Sequence, residues 1–245
     1  SPSTALADVA QSVTGVILGI FLFCHMAFTS SVQISKDLFA NLINTSGGMF
    51  MFAEEQAWLH VVFVGFITLC VVIHAFCALR RFPTSYHQLR DIKAHYKMLR
   101  HEDTTLWMVQ LVTAFLLFIF VFPHLISMLC NPHGFDVNLI GVHTHHMGMI
   151  YTFVFLVITE LHGMIGLYRL AVKWDIFAKN PETDIIDQRN GDRAGLRKTF
   201  LFIALLMIVC GTLTAWKNYS IGAELIENGQ EATRYVLADE NNWWK

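Results

Sequence analysis

The chain has 245 residues, of which 54% are hydrophobic and only 15% charged, with a mean hydropathy of +0.47. A soluble domain carries about a quarter charged residues, so this balance excludes an ordinary soluble enzyme and indicates a membrane protein. A formal net charge of −2 gives no sign of a nucleic-acid partner.

Five apolar stretches reach the roughly 20 residues that a bilayer-spanning helix needs. They cover 9–29, 59–79, 106–129, 147–170 and 199–216. The expected fold is an all-α membrane protein of five transmembrane helices, forming a single domain over 1–216 with a tail at 217–245. The first stretch has no basic region before it, since the first Lys or Arg is Lys36, so it is read as a retained helix and not a signal peptide. The segment 80–105 carries six Lys and Arg and the segment 169–198 carries seven. The segment between the first two spans holds only Lys36, and that between the third and fourth holds none. Basic residues collect on the cytoplasmic side. The N-terminus and both basic loops are therefore expected on the inner side of the membrane, and the C-terminus outside.

In the first basic loop, Ser85 and Gln88 have capping-box spacing, and Leu89, Ile92, Tyr96 and Leu99 follow at helical spacing. This predicts an amphipathic helix on the inner surface. In the second, Asn180-Pro181 and Asn190-Gly191 predict turns. Pro123 is expected to bend the third span. Cys24, Cys70, Cys77, Cys130 and Cys210 form no C-x-x-C pair and read as buried apolar residues.

Four spans each contain one interior histidine: His25, His74, His124 and His162. A polar ring inside a bilayer is costly and reads as functional, and imidazole is a common axial ligand of haem iron. At 1.5 Å per residue, His25 and His124 lie ~24 and ~27 Å from the inner end of their helices. His74 and His162 lie ~9 and ~12 Å from it. The four thus sort into an outer and an inner pair, about 15 Å apart in depth. Four of the spans are expected to form a bundle around two non-covalent haem b groups; the spacing accommodates another metal as well. Ala78 and Gly166, one turn from His74 and His162, leave room for a flat macrocycle. Gly15 and Gly19 serve haem access or plain helix packing. His143, His145 and His146 form a further cluster, read as a solvated loop in preference to a metal site. Glu160 is the only carboxylate within a span, which makes it a proton-relay candidate.

The motifs resemble those of the di-haem cytochrome b subunit of succinate:quinone oxidoreductases, in the five-helix form of quinol:fumarate reductases. The resemblance rests on Gln11-Ser12-x-Thr14-Gly15, His25-Met26, His74-Ala75-Phe76 and Arg81-Phe82-Pro83. It continues through Leu99-Arg100-His101-x-Asp103-Thr104-Thr105-Leu106-Trp107, Glu160-Leu161-His162-Gly163 and the run from Gly166 to Trp174. It implies that His25 and His124 hold the outer haem iron and His74 and His162 the inner one. It implies that Gln11, Ser12, Trp107 and Lys173 meet inner-haem propionates. An acidic residue between the first two helices would hydrogen-bond the quinol, for which Glu54 and Glu55 are the candidates. It also implies menaquinone or menaquinol as electron partner and membrane lipid as surroundings. Two soluble subunits would complete the complex: a flavoprotein with FAD, and an iron–sulfur protein with 2Fe-2S, 4Fe-4S and 3Fe-4S clusters. The complex would interconvert fumarate and succinate (EC 1.3.5.1) and form a dimer of heterotrimers. The competing readings are a cytochrome b of a hydrogenase or nitrate reductase, which the 99–107 motif and Glu160-x-His162 disfavour, and a non-redox anchor or transporter, which would bind no haem.

Overall fold

Leu, Ile, Val and Phe fill the apolar stretches, and a backbone in lipid must satisfy its own N–H and C=O groups. A helix does this within one segment. In a computed structural model of the chain, residues 2–48, 51–52, 56–80, 82–83, 85–99, 102–176 and 186–237 are described, and all their regular elements are helical. They are α1 (Pro2–Ser30), a short 3-10 turn (Ser31–Gln33), α2 (Lys36–Ser46), α3 (Ala57–Leu79), α4 (Tyr86–Leu99), α5 (Glu102–Cys130), α6 (Val137–Met147), α7 (Met149–Lys173) and α8 (Ile186–Glu227).

Among the described residues, five helices are long and apolar enough to cross a membrane: α1, α3, α5, α7 and α8. Their outward faces carry large apolar side chains. Phe63, Phe66, Leu69 and Phe76 on α3, and Phe202, Leu205, Val209, Leu213 and Trp216 on α8, are all exposed at helical spacing. Such stripes are stable only when acyl chains are the solvent, so the chain is a multi-pass membrane protein. The helices outrun their apolar stretches because polar turns continue hydrogen bonding beyond the hydrocarbon. α8 begins thirteen residues before the expected 199 and ends at Glu227, inside the expected tail. The amphipathic segment is helical, and Ser85 Oγ accepts from the Gln88 backbone N–H at 3.3 Å. α5 runs unbroken through Pro123.

Two local expectations are corrected, at Asn190-Gly191 and at the histidine cluster, and one helix is added. Asn190-Gly191 lies inside α8 and makes no turn, because tertiary context overrides a two-residue signal. The segment between the first two spans contains α2, capped by Ser35 Oγ accepting from Leu38 N–H at 2.9 Å. His143, His145 and His146 lie on α6, which Asp136 initiates and Gly148, at φ 81°, ends.

The chain divides into two compact units, each assembled from parts of the long helices. The first comprises 1–20, 69–118 and 158–206. Within it, Arg80 on α3 pairs with Asp8 on α1 and donates to the Thr4 carbonyl at 3.0 Å. Arg197 on α8 pairs with Glu102 and Asp103 at the start of α5, and the Tyr168 hydroxyl on α7 donates to Asp103 at 2.7 Å.

The second unit comprises 21–68, 119–157 and 207–245. It holds a small core of Val32, Phe39, Ala40, Ile43, Val137 and Ile221, with Tyr235 and Leu237 packed against it. α6 and α8 touch backbone to backbone: a side chain at Gly141 would meet the Asn218 carbonyl at 3.1 Å. Asp136 takes N–H donors from Asn138 (2.9 Å) and Leu139 (3.2 Å) and also from Tyr235 (3.1 Å). The Tyr235 hydroxyl donates to Asp37 at 2.9 Å. Burial, and then that carboxylate, push the Tyr235 phenol up to about 12, so it remains a neutral donor at neutral pH. Asp136→Ala removes a helix cap and the anchor of Tyr235 together. The expected cost is about 1–2 kcal/mol for the cap alone, read as a lower melting temperature of the detergent-solubilised protein.

Candidate metal centre: two pairs of membrane histidines

An imidazole binds a metal through a nitrogen that carries no proton, so the partner of the other nitrogen decides which one is available. His74, on α3, faces α1. Its Nδ1 lies 3.2 Å from the Gln11 carbonyl and 3.3 Å from Thr14 Oγ1. The Thr14 hydroxyl hydrogen is engaged by the Ala10 carbonyl at 2.7 Å. Both neighbours therefore act as acceptors, Nδ1 carries the hydrogen, and Nε2 keeps its lone pair. His162, on α7, repeats the arrangement against α5. Its Nδ1 lies 3.3 Å from the Gln110 carbonyl and 3.4 Å from Thr113 Oγ1, while Thr113 donates to the Val109 carbonyl at 2.8 Å. The two rings lie in the same unit, within electrostatic reach of each other.

His25 and His124 stand together in the other unit, with ring centroids 6.5 Å apart and planes at 71°. Two imidazole nitrogens each about 2 Å from one metal put the centroids roughly 6 Å apart, so this spacing suits a shared iron. The surroundings differ from those of the first pair. Phe21 stacks on His25 at 5.3 Å and Phe155 lies 5.6 Å from His124. All four histidines are half-buried. The two imidazoles in each pair would hold a haem iron, whose macrocycle would supply the remaining ligands. The donor sets therefore fit haem.

The glycines have distinct tasks. A side chain at Gly15 would meet His74 Cε1 at 3.3 Å, so Gly15 admits the imidazole. Gly19 receives Leu167 of α7. A side chain at Gly166 would meet the Gln110 side-chain amide at 2.9 Å, and the oxygen of that amide accepts from Arg169.

Of the polar residues assigned to propionates, Lys173 Nζ donates to Ser12 Oγ at 3.2 Å. The Gln11 side-chain oxygen is buried without a partner among the described residues. Trp107 is half-buried on α5. Glu54 and Glu55 lie outside the described residues. On α6, the imidazole of His145 packs on Tyr219 at 4.6 Å and that of His146 reaches Glu231 at 3.9 Å. The His143 ring is held below its ordinary pKa by partial burial and then by His146.

Sequence reading named Thr14 in a motif without giving it a contact, and passed over Gln110 and Thr113. The signal was present: Gln11-Ser12-Val13-Thr14 and Gln110-Leu111-Val112-Thr113 are one pattern, Gln-x-Val-Thr, and a ligand-competent histidine follows each Gln by fourteen residues, His25 and His124.

Fold and site together define a multi-pass helical membrane protein whose paired imidazoles could hold a haem iron. Residues 87–214 match the family model described as succinate dehydrogenase/fumarate reductase transmembrane subunit. The chain is 35% identical over 247 residues to a fumarate reductase cytochrome b subunit of Helicobacter pylori, covering 98% of this chain and 91% of the relative. It is 33% identical over 213 residues to a fumarate reductase cytochrome b subunit of Wolinella succinogenes, covering 86% and 80%. The chain belongs to the succinate dehydrogenase/fumarate reductase transmembrane subunit family.

Glu160 is 0% exposed, and neither carboxyl oxygen has a hydrogen-bond partner among the described residues. A buried polar group left unsatisfied costs about 1–3 kcal/mol. Glu160→Met, of similar volume and without that cost, is expected to raise the melting temperature of the solubilised protein; an unchanged or lower value would show the carboxyl to be satisfied in place.

Proposed function

We propose that this chain is the di-haem cytochrome b anchor of a quinol:fumarate reductase (succinate dehydrogenase) complex in a bacterial inner membrane. The observation that carries the reading is the matched bracing of His74 and His162, whose Nδ1–H groups are taken by backbone carbonyls so that both Nε2 atoms are free for one iron. His25 and His124 hold the second iron. The haems, when bound, carry single electrons between quinol and the partner subunits. Gln11, Ser12, Trp107 and Lys173 bind and orient propionates; Lys173 and Ser12 already stand 3.2 Å apart, and the Gln11 amide, turned about its last bond, presents its NH2.

Each menaquinol gives up an electron pair and two protons, and each fumarate takes up as many to become succinate. Fumarate binds on a flavoprotein with FAD, joined through an iron–sulfur subunit with 2Fe-2S, 4Fe-4S and 3Fe-4S clusters. The names of the relatives support this reading over a hydrogenase or nitrate reductase cytochrome. The basic loops and α4 face inward and dock the soluble subunits, the N-terminus lies inside and the C-terminus outside, and the complex is a dimer of heterotrimers. Glu54 and Glu55 remain the candidates for the quinol contact. Glu160, with no hydrogen-bond partner among the described residues, holds and passes a proton that accompanies the electrons.

The test is made on the purified complex. A pyridine haemochrome assay is expected to give two haem b per chain, and His25→Ala or His124→Ala is expected to remove one haem and spare the other. One haem or none in the unaltered complex would overturn the proposal. Glu160→Gln is expected to keep both haems and dye-linked fumarate reduction while losing quinol-linked turnover; full quinol-linked activity would assign Glu160 a structural role only.

A further inference from the structure

The two Gln-x-Val-Thr segments brace their histidines across helices. Each lies on a helix, α1 or α5, that carries a ligand of one pair further along. Each instead holds a ligand of the other pair: α1 holds His74 and α5 holds His162. In both, the carbonyl of Gln and the hydroxyl of Thr, one turn apart, present two acceptors to a single N–H. Both threonines are buried, at 7% and 6% exposure, and both direct their own hydrogen back to the carbonyl four residues earlier. That bond is what makes each hydroxyl oxygen an acceptor towards the ring. His25 and His124 have no hydrogen-bond partner at their rings among the described residues, and aromatic rings surround them.

We infer that Thr14 and Thr113 are positioning residues that act through His74 and His162 to fix the ligating tautomer and lower the reduction potential of one and the same haem. The inference rests on the di-haem reading. An acceptor at Nδ1–H makes the imidazole a stronger donor through Nε2, and a stronger donor favours the more positively charged ferric iron. Removing one of two acceptors weakens that donation, so the ferrous form gains. Because Thr14 and Thr113 serve opposite ligands of one iron, their effects fall on the same haem and add, although the two residues lie on different helices. Valine has the shape of threonine without the oxygen; serine keeps the oxygen without the methyl group.

The experiment is a potentiometric titration of the haem absorbance in the purified complex, with haem counted by pyridine haemochrome. Thr14→Val and Thr113→Val are each expected to shift one haem upward, by about threefold or more in its ferrous-to-ferric ratio at fixed potential, a factor of ten being 59 mV for one electron. The double variant is expected to shift the same haem further, and Thr14→Ser and Thr113→Ser to titrate as the parent does. Repeating the titration in the His25→Ala background, which keeps only the His74–His162 haem, identifies the one that moves. Loss of that haem in a valine variant with its retention in the serine variant supports the inference, since the hydroxyl is then the part required. Unchanged potentials in both valine variants, a shift of the other haem, or loss of haem in valine and serine variants alike would overturn it. A parent complex without two haems would overturn the di-haem reading itself, a result the haem count reports separately.

Discussion

A neutral imidazole has one hydrogen to give, and the destination of that hydrogen determines what the ring can do. In water the choice is open. Between two helices it is made by whichever acceptor faces the ring, and at His74 and His162 that acceptor is a helix carbonyl already bonded within its own helix. Gln11 and Gln110 provide it only because α1 and α5 hold their register against α3 and α7. Gly15 contributes by having no side chain where the His74 ring lies. Polar and charged contacts add to the same register: Arg80 ties α3 to the start of α1, and Arg169 ties α7 to the Gln110 side chain. The chemistry of the pair follows from helix packing and not from any mobile loop.

The two units solve different problems. In the first, charged residues at helix ends are paired: Arg80 with Asp8, and Arg197 with Glu102 and Asp103. In the second, short helices α2 and α6 build a small core in the manner of a soluble protein, with side-chain caps at Ser35 and Asp136. The spans themselves expose apolar faces and hold together by small-residue contacts such as Gly19 against Leu167 and Gly211 against Leu156 and Met26. Lipid offers no hydrophobic drive for helices to associate, so close packing and a few polar contacts must suffice. Glu160 stands apart from this economy, as a fully buried carboxyl group without a partner among the described residues.

The spans were legible in the sequence because a bilayer imposes a length and a polarity that composition alone reveals. The four histidines were legible for the same reason: each interrupts an apolar run. α2 and α6 were not, since neither is apolar or long, and each depends on residues far away in the chain, Ile221 and Tyr235 among them. Asn190-Gly191 misled because a turn dipeptide carries little weight inside a helix whose later turns bind Glu102 and Asp103 through Arg197. The contacts of Thr14 and Thr113 escaped notice for a subtler reason. A threonine in a helix ordinarily bonds back to the carbonyl four residues earlier, and both do so. Their second contact, with an imidazole on another helix, leaves no local trace. Only the repetition of Gln-x-Val-Thr marks it.

The junction at Tyr235 bears on how the chain is made. Asp37, Asp136 and Tyr235 meet at one point, yet they are the early, middle and late parts of the polypeptide. A ribosome delivers them in that order, so α2 and α6 exist for some time with their inward faces unfilled. Ile221, on α8 itself, and Tyr235, beyond it, complete the small core and are made after α2 and α6. The junction thus closes only once α8 is in place, and α2 and α6 present an open surface in any chain whose α8 has failed to insert.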